Sequence, residues 1–164
     1  MAIPYENLRS MSPWESLAIG QHYGLPTRYL DWTQNPLIAT YFSIENAKEN
    51  SAIYIIDSSQ FNENTMEIDD PFSITDEVMI YVPPYINQRI IAQKGLFTVH
   101  KNPITPLSQI CIQGHEIEIT KLIIMQSCHN EIMKTLDRFG INRSFIYPGL
   151  DGLASYLDLK AQKE

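Results

Sequence analysis

Apolar positions along the chain switch between helical and strand spacing, and the switches divide it into elements. Trp14, Leu17 and Ala18 recur at the spacing of a helix face behind Ser12-Pro13-Trp14-Glu15. In that tetrad serine can cap the helix, proline suits its first position, and glutamate can return a bond to the serine backbone. The pattern runs to Gly24. Asn35-Pro36 repeats the device, and Leu37, Ile38, Tyr41 and Phe42 carry a second helix to about Asn50. Ala52 to Asp57 is a β-rich apolar run, expected as a strand buried on both faces.

Residues 58–72 are polar, acidic and without period, and are expected to form an irregular acidic insertion. Val78 to Val82 predicts a strand stopped by Pro83-Pro84. Tyr85 to Lys94 predicts a short helix with Ile86, Ile90 and Ile91 inward and Gly95 as its stop. Leu96 to His100 resumes as strand. Gln109 to Ile112 and Glu116 to Met125 follow as strands around a turn at Gln113-Gly114-His115. A helix from Ser127 carries Ile132, Met133, Leu136 and Phe139 to a stop at Gly140. A last helix runs from Leu150 or Asp151 to about Ala161 with Leu153, Ala154 and Leu157 along it. No repeat or low-complexity tract interrupts. The expectation is one α+β domain over residues 1–164: a mixed, mostly antiparallel sheet of about five or six strands with packed helices.

Between the first two helical patterns lies a segment unlike a plain connector. Gln21 to Trp32 carries His22, Tyr23, Thr27, Arg28, Asp31 and Trp32 around a Gly-Leu-Pro break. These residue types hydrogen-bond, pair ions and stack on flat ligands, and such types on a loop point to binding. Each also has a structural reading. Arg28 and Asp31 can pair with each other as a clamp, or Arg28 can grip a phosphate or carboxylate while Asp31 orients it or takes a ribose hydroxyl. His22 can cap the helix or act as a base, and Tyr23 and Trp32 can belong to the core or flank a base. Arg89 and Gln93, four apart, share one face of the short helix and can both reach a cleft, or Arg89 can simply be exposed.

Composition narrows the functions. Hydrophobic residues make up 44% and charged residues 19% of 164, values of a globular chain, and no apolar run reaches the roughly 18 residues of a membrane span. The net charge is −7, but residues between Lys48 and Arg89 hold no Lys or Arg and contribute −8, so the remainder carries +1. A general nucleic-acid binder needs a basic stripe that this chain lacks. Cys111 and Cys128 form no Cys-x-x-Cys, and the four histidines show no zinc spacing, so reduced thiols and no metal site are expected. No basic-then-apolar leader opens the chain, and a cytoplasmic location without membrane contact is expected. No phosphate-cradling glycine loop is present. His22 has no serine or cysteine beside it, which makes a nucleophilic hydrolase a poor candidate.

The stretch from Gln21 to Thr33, followed by Asn35-Pro36-Leu37 and by Ala39, Tyr41 and Phe42, closely resembles the signature of the FRG domain family of bacterial and phage-associated proteins. Two later segments resemble its further motifs: Ile86-Asn87-x-Arg89-Ile90-x-x-Gln93-x-Gly95-x-Phe97-Thr98, and Phe145 through Ala154 around Pro148-Gly149. One departure stands out. The name-giving Phe-Arg-Gly strand is absent from residues 1–20, where Leu8-Arg9-Ser10 is a poor substitute, so the chain resembles a shortened member lacking its N-terminal strand. The family is generally described without an established activity, in settings of conflict with phages.

The order of elements is also reminiscent of ADP-ribosyltransferases, with Thr27 or Thr33 in the middle position and Gln93 in place of the usual glutamate. Glutamine cannot act as a carboxylate, which puts the transfer reaction in doubt. The resemblance therefore implies two functions. One is a nucleotide or NAD-related ligand-binding domain, with NAD as ligand or substrate and no required cofactor. In it Arg28 and Arg89 hold phosphate, Tyr23 and Trp32 stack, and His22, Thr27, Asp31 and Gln93 add polar contacts. The other is a non-catalytic recognition or sensor module of a phage-defence or prophage protein that binds a ligand or a protein partner without turnover.

Overall fold

A computed structural model describes residues 11–61, 68–84, 87–112 and 114–162. The fold is α+β. Its contacts gather into two compact units, one of Met1–Trp32, Ile56–Asn87 and Gly95–Ile119, the other of Thr33–Ile55, Gln88–Lys94 and Thr120–Glu164. Among the described residues the strands form three small sheets, in place of the expected sheet of five or six.

In the first unit, helix α1 (Pro13–His22) starts as its sequence predicts. The Ser12 hydroxyl accepts a bond from the Glu15 backbone N–H at 3.2 Å, and the Glu15 carboxylate accepts from the Ser12 backbone N–H at 2.8 Å. Strand β1 (Tyr29–Thr33) then enters a three-stranded sheet in the order β1-β4-β3, where β3 is Val78–Tyr81 and β4 is Gly95–His100. Strands β3 and β4 are antiparallel, pairing Met79 with Val99 and Tyr81 with Phe97.

Side chains alternate across a sheet, and here both faces are covered. Met79, Tyr81, Phe97 and Val99 join Trp14, Ala18 and Tyr29 in one core, whereas Val78, Ile80 and Leu96 join Phe61, Ile110 and Ile117 in another. Two-sided burial explains why β3 reads as an unbroken apolar run. The aromatic rings of the first core pack tilted against one another, Trp14 5.2 Å from Tyr81 and Tyr29 5.2 Å from Phe97 between centroids. Burial, led by loss of water, holds the Tyr29 and Tyr81 hydroxyls well above the usual tyrosine range. Tyr29 spends its proton on the Trp14 carbonyl at 3.2 Å.

The described ends of residues 58–72 fold into single 3-10 turns at Ser58–Gln60 and Pro71–Ser73, capped by Asp57 and Asp70. Short strands β5 (Cys111–Ile112) and β6 (His115–Glu116) form a separate antiparallel pair. The expected turn falls partly on Gln113, outside the described residues, as does the Leu8-Arg9-Ser10 segment.

In the second unit, Asn35 caps α2 (Pro36–Ile44) by accepting the Leu37 N–H at 2.9 Å. The helix ends at Ile44, short of the expected Asn50, where the polar run from Glu45 to Asn50 carries no further apolar face beyond Ala47. Strand β2 (Ser51–Ile56) pairs with β7 (Ile119–Ile124), so the apolar run from Glu116 to Met125 is divided between β6 and β7. Strand β2 is not buried on both faces: Tyr54 and Ile55 are exposed, because a two-stranded sheet has too little neighbouring structure to cover them.

Helix α3 (Gln88–Gln93) buries Ile90 but leaves Ile91 exposed, while Tyr85 and Ile86 lie outside the described residues. The expected stop at Gly95 falls one residue earlier. Lys94 takes the left-handed conformation at φ 49°, its N–H bonds the Ile91 carbonyl at 3.1 Å, and Gly95 opens β4. Helices α4 (His129–Arg138), α5 (Arg143–Ile146) and α6 (Leu150–Ala161) follow. The first packs Leu136 with Ile38, Tyr41, Ile44, Ile124, Ile141 and Ile146 into the core of this unit, while Phe139 at its end is exposed. Asp137 ties α4 to α6 by accepting the Tyr156 hydroxyl at 2.8 Å, and to the start of α5 by accepting the Asn142 amide at 3.0 Å.

One glycine is required by packing alone. A Cβ on Gly152 would sit 1.7 Å from the Tyr147 carbonyl oxygen, so α6 can meet the turn before it only through a hydrogen atom. Gly152→Ala is expected to destabilise the chain by about 3 kcal/mol, against about 1 kcal/mol for Ala154→Gly on the exposed side of the same helix, both read from urea denaturation midpoints.

Candidate functional site

The polar signature residues of the first unit are held largely by one another. Gln21, on the last turn of α1, accepts the Thr27 hydroxyl proton at 2.7 Å and donates its amide N–H to Asp31 at 2.8 Å. Thr27 in turn accepts the Tyr29 backbone N–H at 3.0 Å, which fixes the entry of β1. The connector is thus short. Gln21 and His22 belong to α1, Asp31 and Trp32 to β1, and only residues 23–28 are loop. Sequence reading took the polar content of residues 29–32 for loop, but the residues alternate across a strand, with Tyr29 buried in the core.

Gly24 reverses the chain at φ 84°, in the left-handed region that glycine occupies without strain, and the Leu25 N–H returns to the Gly20 carbonyl at 2.9 Å. Tyr23 and Leu25 stand exposed at the tip.

Arg28 and Asp31 do not pair. The Arg28 guanidinium lies over the Phe72 ring at 4.5 Å and reaches the Pro71 carbonyl at 3.4 Å, while its buried Nε makes no hydrogen bond. His22 sets its ring edge-on to Phe97 at 6.2 Å. Trp32 is half-buried, and its indole N–H donates to the Thr98 hydroxyl at 3.0 Å.

Thr98 also lies 3.0 Å from Nε2 of buried His100. Indole can only donate, so the Thr98 oxygen accepts from Trp32, and its proton and second lone pair can serve either tautomer of His100. Burial, by stripping water from the charged form, pushes the His100 pKa below its usual value.

Arg89 and Gln93 belong to the second unit and share the face of α3 that was expected, but they play different parts. Gln93 is buried and donates its side-chain N–H to the Ile146 carbonyl at 3.1 Å, while its own carbonyl accepts the Thr33 hydroxyl at 2.7 Å. Arg89 places its guanidinium over the Tyr147 ring at 4.8 Å.

Around Tyr147 stands a group that sequence reading missed. Glu45, with only 9% of its side chain exposed, accepts bonds from the Tyr41 hydroxyl at 3.0 Å, the Tyr147 hydroxyl at 2.8 Å and the Arg143 guanidinium. Arg143 also lies 5.0 Å above the Tyr147 ring, so two guanidiniums face one tyrosine. Burial and then the Glu45 carboxylate push Tyr147 up to about 12 and hold Tyr41 higher still. Tyr41 and Glu45 lie one turn apart on and beside α2, but Arg143 and Tyr147 lie about a hundred residues away, beyond the reach of helical periodicity. A signal was available only in the third motif, which contains Tyr147.

His129 takes Ser51 and a carbonyl as neighbours: its Nε2 lies 3.2 Å from the Ser51 hydroxyl and 3.4 Å from the Ile124 oxygen. Cys128 has no part in that contact, and among the described residues no three His, Cys, Asp or Glu side chains converge as a metal site would need. No helix among the described residues is long and apolar enough to cross a membrane.

Two outcomes follow from this geometry. The folded chain binds a proton at His100 more weakly than the unfolded chain. That contribution to stability is therefore complete above the usual pKa of 6.5 and is lost as pH falls below it, until the folded group titrates. His100→Gln is expected to flatten this part of the acid limb in a denaturation series against pH. Glu45→Ala, which strands Arg143 and two hydroxyls, is expected to cost about 2–3 kcal/mol by urea denaturation, less than a fully buried pair because Arg143 is 34% exposed.

Comparison with known proteins bears on the same residues. Residues 1–52 match the family model of the FRG domain. No curated protein and no solved structure matches the chain. The matched stretch takes in the whole run from Gln21 to Phe42, about a third of the chain lies within the match, and the second and third motifs lie beyond it; over residues 1–52 the chain is similar to the FRG domain.

Proposed function

We propose that the chain binds a flat, phosphate-bearing ligand of the nucleotide or NAD class without turning it over, and that the grip lies in the second unit at Arg89, Arg143 and Tyr147. The observation that carries this reading is the pair of guanidiniums at 4.8 and 5.0 Å from one tyrosine ring. Glu45 satisfies Arg143 from one side, and guanidinium is the group that matches phosphate with paired donors. The assembly draws on three distant segments, the end of α2, α3, and α5 with the turn after it, which lie in or beside all three family-like motifs.

Turnover is disfavoured by what the other candidates are doing. Gln93, in the place of a transferase glutamate, spends its amide on the Ile146 carbonyl, and Thr27 and Asp31 are engaged through Gln21. These residues act as scaffold. A second reading, a recognition module of a phage-defence or prophage protein that takes a protein partner, is favoured by exposed Tyr23 and Leu25 at the tip of the first loop.

Calorimetric titration of the full chain with NAD and with ADP-ribose tests the proposal. Native protein is expected to give heat, Arg89→Ala to bind at least about tenfold more weakly, and Thr27→Ala to bind as the native chain does, with no nicotinamide released. Absence of heat with both ligands sinks the proposal. Heat that survives Arg89→Ala but not Arg28→Ala overturns its placement and moves the grip to the first unit.

A further inference from the structure

Helix α2 turns Ile38, Tyr41 and Ile44 into the core of its unit, and the residue after Tyr41 is carried round the helix toward the rim. That residue is Phe42, which stays 41% exposed. Its ring meets Tyr147 at 6.4 Å and Tyr41 at 6.1 Å between centroids, with interplanar angles of 87° and 82°. Both neighbours stand perpendicular to it. Contacts of this kind hold a ring in place without stacking on it, and no ring among the described residues lies flat on Phe42.

A grip on a flat, phosphate-bearing ligand needs a surface for its ring as well as donors for its phosphate. Tyr147 is a poor platform, because two guanidiniums already lie over its ring at 4.8 and 5.0 Å, and Tyr41 is buried. Phe42 touches Tyr147 and keeps open surface. That contact sets it within the length of one nucleotide of both guanidiniums. Charge then selects the ring. The ionised groups that act on Tyr147 are one carboxylate, Glu45, and two guanidiniums, Arg89 and Arg143. A cationic ring such as the pyridinium of nicotinamide would bring a third positive charge to this place, whereas a purine is neutral. An exposed phenylalanine attracts a cation only weakly, so the two nearby charges outweigh it.

We infer that Phe42 stacks a neutral purine while Arg89 and Arg143 hold the phosphate attached to it, so the moiety recognised is a purine nucleoside phosphate and not the nicotinamide end of NAD. The inference rests on the nucleotide reading of the same site and adds to it the residue that selects the ring. Stacking and phosphate binding are separate contacts, and each can be removed without the other.

Calorimetric titration of the full chain with AMP, nicotinamide mononucleotide and ribose 5-phosphate tests this, because all three carry one ribose and one phosphate and differ in the ring. The native chain is expected to bind AMP at least about tenfold more tightly than the other two. Phe42→Leu, which keeps an apolar side chain but no ring, is expected to bring AMP down to the affinity of ribose 5-phosphate and to leave the latter unchanged. Phe42→Trp is expected to keep the preference, and its added indole fluorescence to be quenched by AMP and not by ribose 5-phosphate, a readout that does not require the leucine variant to fold. If Phe42→Leu keeps the AMP preference or weakens AMP and ribose 5-phosphate alike, if the added indole ignores AMP, or if nicotinamide mononucleotide matches AMP, the inference is overturned, while native binding that responds to Arg89→Ala leaves the nucleotide reading standing. Absence of heat with both AMP and ADP-ribose overturns the two together.

Discussion

A nearly buried carboxylate must be surrounded by donors or it costs several kcal/mol, and in the second unit everything around Glu45 follows from that requirement. Tyr41 supplies one proton from the same helix, while Arg143 and Tyr147 supply the others from a segment about a hundred residues on. Meeting the demand of one acid therefore pins the turn after α5 against α2. Tyr147, held there by its hydroxyl, offers its ring to Arg89 as well as to Arg143. The concentration of positive charge that makes this place a candidate for anion recognition is a consequence of how the carboxylate is satisfied.

The first unit solves a different problem with the same economy. A side-chain amide has both a donor and an acceptor, and Gln21 uses its oxygen for Thr27 and its nitrogen for Asp31. A loop of unrelated polar residues thereby becomes a fixed turn leading into β1. Trp32, Thr98 and His100 continue the pattern deeper, where each polar atom in an apolar setting finds the next. Much of the chemistry written into this signature is thus structural, which is why its residue types overstate the number of groups free to meet a ligand.

Local signals in the chain were sound where the cause is local. The Ser12 and Asn35 caps, the reversal at Gly24, the β-rich runs at Val78 and Leu96, and the stop at Gly140 each depend on a few neighbouring residues, and each is present. Boundaries decided by competition moved: adjacent Lys94 and Gly95 both can end a helix, and backbone bonding gave the post to lysine. Burial was legible least. The runs in β2 and β3 are equally apolar, but two cores enclose one and a two-stranded sheet leaves the other half bare.

The sequence by itself determined most element types, the α+β class, and a likeness to the FRG domain through the run from Gln21 to Phe42, because propensity, capping and motif spacing act over a few turns of chain. Only the tertiary structure decided that Arg28 turns to Phe72 and away from Asp31, that Gln93 is a buried brace, and that Glu45 gathers Arg143 and Tyr147. Those outcomes depend on which distant segment reaches a buried polar atom first with the right geometry, and no pattern of neighbours along the chain encodes it.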